Sequence, residues 1–356
     1  MKYLIVQDWP STHGNHAGMV HMCNLLKVKY PNEYRVIIKD CPAKFPENSI
    51  LGIRQFSRII RSIYERYIYP YSYIQLCKEI VIALNDNDEV YLMEYLFPET
   101  SQLQLAKYIR CQKPNVKIFA LSHLTPTYAE KKYSAYKSMV NKWCVPIDKI
   151  LTLGNSLSNY FVECGLPKYK ISTGFHYVDL DYYHKTDYYR GKRKMRVITI
   201  GAMARNFLLL SEVVKQTQDV EWIICKGKKD VSGLFPNSPN IQICGFLEEN
   251  ELRHMMDISD VSLSVMDDTI GSNVITTSFA MGLAQIVSDV GSIRDYCTEK
   301  DTLFCKNNVS EFVEAINYLE NNPKILESMK KHSLLQAKKF SIENINNWFN
   351  SINTTR

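Results

Sequence analysis

Short apolar runs alternate with segments of helical period along almost the whole chain. KYLIVQD (2–8) is rich in β-formers and ends in the loop PSTHGNHAG, after which MVHMCNLLKVKY (19–30) repeats at the spacing of a helix. The alternation recurs in YRVIIKD (34–40), in DEVYLMEY (88–95) with a helix over 99–110, in VKIFALSH (116–123), and in KILTLGN (149–155) with SLSNYFVECG behind it. DYYHKTDYYRGKRKMR (181–196) then breaks the period, and its polar, tyrosine-rich, basic character predicts an interdomain linker. A second series follows: strands RVITIGA (196–202), VEWIICKG (220–227), NIQICGF (240–246), DVSLSVMD (260–267), QIVSDV (285–290) and TLFCK (302–306), with helices over 207–217, 248–257 and 274–282. Helical runs over 309–320 and 323–339 and a last segment, SIENINNWFNSI, close the chain.

Near-continuous apolar strands separated by helices imply parallel sheets covered on both faces. A chain of 356 residues is also longer than one core readily serves. The pattern therefore predicts two doubly wound α/β domains, with ligand bound in the cleft off the carboxyl ends of their strands.

Hydrophobic residues at 46%, charged residues at 22% and no low-complexity tract fit an ordinary globular protein. The net charge of +6 favours an anionic ligand or membrane surface and falls short of a nucleic-acid footprint. The ten cysteines form no C-x-x-C and no zinc-spaced set with histidine, so they read as core residues kept reduced in a cytosol. MKYLIVQDWP is too short for a signal-peptide core, and no apolar run is long enough to span a bilayer. A cytoplasmic protein is expected, with the inner face of the cell membrane as a second setting. The reason is IRQFSRIIRSIYERYIYPYSY (53–73), where Ile53, Phe56, Ile60, Ile63 and Tyr67 recur at helical spacing among Arg54, Arg58, Arg61 and Arg66. Such a segment suits a peripheral membrane contact or, equally, a surface helix packed on its sheet.

Several positions carry candidate chemistry. GNHAG (14–18) is a glycine-containing loop after the first strand, either an ordinary turn or a weak phosphate loop. Glu94 and His123 close parallel strands at the end where ligands dock. Arg205 follows the glycine after strand 196–202, and Lys226, Lys228 and Lys229 crowd CKGKKD, although lysine clusters are usually solvated. GSN (271–273) opens a helix: Ser272 or Asn273 is an N-cap candidate, and the free N–H groups and dipole of such a start also suit a diphosphate.

QIVSDVGSIRDY, preceded by a helix ending AMG, resembles the donor-binding segment of GT-B glycosyltransferases, specifically retaining family four. KILTLGNSLSNYFVECGLPKYKISTGFHYVDLDYY (149–183), IGAMARN (200–206) and FSIENINNWF fall in the family's order and spacing. The resemblance implies α/β GT-B architecture: Rossmann-like domains of doubly wound parallel sheet over 1–180 (acceptor) and 196–340 (nucleotide sugar), facing a cleft, with a C-terminal helix over 341–356 crossing back to the N-terminal domain. It implies a glycosyltransferase that moves a sugar from a nucleotide-diphosphate donor, with retention, to a glycan or lipid-linked saccharide acceptor in bacterial surface polysaccharide synthesis.

Carried over residue by residue, the resemblance makes His123 and Arg205 catalytic. Gly18, Lys226, Lys228, Ser272, Asn273, Val274, Thr276 and Thr277 become donor-binding, and His16 and Glu94 acceptor-binding. No cofactor or metal is called for if Arg205, the lysines and the helix start neutralise the diphosphate. The chain departs from the family at Thr269 and Thr277, which stand where two glutamates usually hold the sugar and the ribose. A threonine lacks the charged, bidentate acceptor geometry that a diol prefers. Two alternatives follow: a non-catalytic GT-B partner of an active transferase, and a GT-B sugar-nucleotide epimerase or phosphorylase.

Overall fold

The computed structural model describes residues 1–9, 14–40, 75, 78–96, 102–132, 135–186 and 193–353. The basic segment 53–73 lies outside the described residues, as does the start of the helix expected from residue 99.

The first unit is a six-stranded parallel sheet in the order β2-β1-β3-β4-β5-β6, formed by Lys2–Asp8, Tyr34–Asp40, Glu89–Leu92, Lys117–Leu121, Lys149–Thr152 and Ile171–Thr173 numbered in chain order. The helices are α1 (Met19–Lys29), α2 (Gln102–Gln112), α3 (Pro126–Lys132), α4 (Tyr136–Trp143) and α5 (Asn155–Glu163). The second sheet is also parallel, in the order β12-β11-β10-β7-β8-β9, from Arg196–Ile200, Glu221–Cys225, Ile241–Cys244, Val261–Ser264, Ala284–Ser288 and Thr302–Cys305 as β7 to β12. Its helices are α6 (Phe207–Gln216), α7 (Glu249–Asp257), α8 (Asn273–Ala280), α9 (Ile293–Tyr296), α10 (Val309–Asn321) and α11 (Pro323–Ala337), and α12 (Ile342–Ser351) ends the chain.

The central strands are buried on both faces, as their unbroken apolar runs require, while the edge strands β6 and β9 are partly exposed. Local chemistry sets the helix ends. Asn308 caps α10 by accepting from Glu311 N at 3.0 Å, and Pro323 at the first turn of α11 separates it from α10. Six of the eight described cysteines are buried and all eight are free, so they fill core space.

In each sheet the strand order reverses beside its first strand, between β1 and β3 and between β7 and β10. Loops leaving the carboxyl ends of these strands part there and open a crevice. The two units meet around that crevice. Gly154 sits so close to the second unit that a Cβ would fall 2.4 Å from Ser292 Oγ and 2.6 Å from Ile270 O. Asp295 accepts from Asn155 N at 2.7 Å, placing a carboxylate at the start of α5 across the boundary. Helix α12 crosses back to the first unit: Ile342, Ile345 and Phe349 pack with Leu4, Val6 and Met22, and Asn346 accepts from Tyr34 Oη.

Candidate active site

The loop Gly201–Asn206, after β7, presents Arg205 through a sharp turn. Gly201 has φ 91° and Ala204, not a glycine, has φ 53°, a left-handed conformation that costs a side-chain-bearing residue energy. A short bridge between Arg205 and Met266 pins the loop to the end of β10, on the switch point of the sheet. Arg205 Nε donates to Ile200 O at 3.1 Å, and burial pushes the guanidinium down to about 10. No carboxylate pairs with it among the described residues. A half-buried cation held this way is set to receive an anion.

A pair of histidines follows β4 and β6 of the first unit. His123, after β4, donates Nε2–H to Met93 O at 2.8 Å, and its ring centroid is 6.4 Å from that of His176, after β6. Burial pushes His123 down to about 4, against the bond to Met93. Burial, then the neighbouring His123, pushes His176 down to about 3. Both are therefore neutral at pH 7 and offer uncharged hydrogen bonding. The Asn273 side chain and the Gly271 backbone lie beside the His176 ring. Asn273 Nδ2 in turn donates to Ala17 O at 2.7 Å. The α8 start, the loop after β1 and the ends of β4 and β6 thus come together, bringing His123, Asn273 and the Gly18 loop near one another.

Beside them is a cavity of about 500 Å³, lined by Gly14, Asn15, His16 and Tyr182 on one side and by Gly201, Gly227 and the start of α7 on the other. Glu249 closes one end: its carboxylate accepts from His16 N at 2.9 Å, from Ala17 N at 3.3 Å and from Tyr183 Oη at 2.6 Å. The His16 ring stacks on Tyr182 with centroids 3.8 Å apart, and the Arg253 guanidinium lies 4.6 Å over the same tyrosine ring.

Other expected residues sit differently. Ser272 is the N-cap of α8, accepting from Val274 N at 3.1 Å, so its hydroxyl serves the helix. Thr276 and Thr277 are buried, and both hydroxyls turn back to Asn273 O, at 3.2 and 2.7 Å, rather than lining the cavity. Thr269, in the other glutamate position, bonds Gly271 within its own turn. Lys226 donates to Lys229 O at 2.8 Å, and Lys228 lies 5.3 Å over the exposed Phe246 ring. Gly18 caps α1 with φ −80°, so left-handed freedom is not what that position uses. Glu94 is 4% exposed and accepts from Gln7 N at 2.9 Å, and burial pushes its carboxyl up to about 8. It braces the end of β1 from within the wall.

Residues 194–322 match the family model described as Glycosyl transferases group 1. The second unit carries a group 1 glycosyl transferase domain. The fold agrees over the full length. HepE of Anabaena, solved with UDP and glucose, superposes with a TM-score of 0.71 at 11% identity, covering 100% of both chains. Sucrose-phosphate synthase of Thermosynechococcus elongatus gives 0.67 at 10% identity, over 100% of this chain and 99% of that one. A glycosyltransferase of Rickettsia africae gives 0.63 at 13%, over 98% and 97%. No curated protein sequence matches the chain. The chain thus has the GT-B fold, with the match to the group 1 glycosyl transferases confined to its second unit.

Reading the sequence missed Asp179, His21, His176, Glu249, Tyr182 and Tyr183 around this cleft. His176, Asp179 and Tyr183 lie in HYVDLDYY, inside a segment whose resemblance was visible, but their partners come from distant loops. Tyr182 and Tyr183 fall in the stretch read as linker. Its first residues pack into the cleft wall instead, because Asp179 Oδ1 accepts from Asp181 N and Tyr182 N and folds the chain back.

Proposed function

We propose that the chain is a glycosyltransferase that moves a sugar, with retention, from a nucleoside diphosphate donor to a glycan or lipid-linked saccharide acceptor in surface polysaccharide assembly. The observation that carries the donor half is Arg205, a desolvated guanidinium with no carboxylate partner among the described residues, together with the two neutral histidines that follow β4 and β6. A departing diphosphate gains negative charge, and a preorganised cation in a water-poor site stabilises that charge most effectively. His123 and His176 would hydrogen-bond sugar hydroxyls at the reacting carbon, and Asn273 would hold the α8 start against the β1 loop around the diphosphate. HepE binds UDP and glucose in the same fold, which supports a uridine-type donor here. The acceptor side would be the loop that carries His16, with peripheral membrane contact through 53–73.

Arg205→Ala tests the reading. With UDP-sugars supplied one at a time, the wild-type chain should hydrolyse or transfer from at least one of them, and the variant should lose turnover by about 10²-fold or more while its circular dichroism is unchanged. If calorimetry detects no binding of any nucleoside diphosphate to the wild type, the donor reading fails. An unchanged rate in the variant removes Arg205 from the site.

A further inference from the structure

His16 is held by its ring, its carbonyl and its N–H. Ring Nδ1 lies 2.8 Å from Asp179 Oδ2, the ring face stacks on Tyr182, and the carbonyl accepts from the Tyr177 hydroxyl. These partners all belong to the segment 177–182. The N–H instead donates at 2.9 Å to Glu249 Oε2, in the first turn of α7 in the second unit.

Glu249 is itself aimed. Its Oε1 accepts from Tyr183 Oη at 2.6 Å and from Ala17 N at 3.3 Å. Tyr183 is 3% exposed and packs in the core of the second unit with Ile200 and Cys225. The tyrosine thus anchors the carboxylate to its own unit, while both oxygens meet consecutive backbone N–H groups of the loop after β1. Successive N–H groups turned the same way suit an anion, and hydrogen bonds to a charged acceptor are stronger than neutral ones. The start of α7 also favours a negative charge. The same helix start holds the ring under His16, because Asn250 accepts from Tyr182 Oη at 2.7 Å and Arg253 donates to Tyr182 O at 2.9 Å.

A carboxylate that only fastened the units together could sit anywhere along their seam. Glu249 instead lines the cavity with His16, and Gly201, which opens the loop presenting Arg205, lines it too. We propose that Glu249 is a positioning residue: from the wall of the donor cavity it fixes the loop after β1, and through that loop His16, so that the unit holding the donor sets the acceptor side of the cleft. This rests on the donor and acceptor reading above. Glu249 acts through His16 and contributes no attraction to a diphosphate, which carries charge of its own sign.

The test uses the full chain, with Glu249→Ala, Glu249→Gln and UDP as the probe. Amide hydrogen exchange at His16 and Ala17 should quicken about tenfold or more in Glu249→Ala, with the β1 amides exchanging as in wild type. Glu249→Gln keeps a side-chain oxygen as acceptor and should restore part of the protection. By calorimetry, Glu249→Ala should bind UDP at least as tightly as wild type, since a repelling carboxylate is gone. Turnover of the UDP-sugar that wild type accepts should fall about tenfold or more. A general loosening of the units would weaken binding and turnover together. The proposal is overturned if the two amides exchange at the wild-type rate in Glu249→Ala, if turnover is unchanged, or if UDP affinity falls in step with turnover. A wild type that binds no nucleoside diphosphate sinks the donor reading instead, and the amide exchange still decides whether Glu249 holds the loop.

Discussion

Glu94 and the pair His123 and His176 bury ionisable groups of opposite kind in one cleft, and their effects on stability run in opposite directions with pH. The unfolded chain protonates these histidines near the ordinary 6.5, whereas the folded chain keeps them neutral down to about 4 and about 3. Between those limits the unfolded state binds more protons, so stability falls as pH drops from 6.5 and levels off below about 3. Glu94 has its folded value raised from 4.5 to about 8, so its contribution is complete below 4.5 and is lost as pH rises toward 8. Glu94→Gln keeps an acceptor for Gln7 N and removes the ionisation. Urea unfolding across this range should then show stability rising with pH without the wild-type loss between 4.5 and 8. An unaltered profile would mean that Glu94 ionises normally in the fold. Strand-end acids invite a reading as ligands, and in this chain burial decides otherwise.

At the scale of elements, α8 shows why helix starts are ambiguous in sequence. Ser272 caps the helix through Val274 N, while its neighbour Asn273 reaches the Ala17 carbonyl and the His176 ring. One residue serves the helix and the next serves the cleft, although both are good cap formers. Ser272→Ala should cost ~1 kcal/mol of stability, and Ser272→Gly only a few tenths, by chemical denaturation. Equal losses for the two variants would place the hydroxyl in some other role. The strands and long helices matched the periodic pattern to within a few residues. The short α3, α4 and α9 and the three-residue β6 did not show, because seven, eight, four and three residues are too few to establish a period.

At the scale of the molecule, the cleft depends on how tightly the units are joined beneath it. Gly154 is required by space, since its Cβ would strike Ser292 and the Ile270 carbonyl, and the carbonyl cannot step aside as a side chain can. Gly154→Ala should therefore push the units apart. Small-angle scattering should report a larger radius of gyration with circular dichroism unchanged, and nucleoside diphosphate binding should weaken. A wild-type scattering curve would show that the interface yields without reorienting. Tyr296 belongs to the same seam: its hydroxyl donates to Leu153 O and accepts from His176 N. The VGSIRDY segment that closes the family-like motif thus holds the two units together, with Asp295 at the start of α5.

Alternation of apolar runs and helical periods, which depends only on neighbours in the chain, determined the strands, the long helices and the two-sheet architecture from sequence alone. Motif order was enough to point to a GT-B transferase and to place Arg205 and His123 at strand ends that face a cleft. Which side chains meet there was settled by tertiary structure. Asp179 meets the distant His16 and His21, Glu249 takes the Tyr183 hydroxyl and the loop that carries His16, and Glu94 turns inward onto Gln7. Each of these depends on distances between parts of the chain far apart in sequence, and no local pattern carries that information.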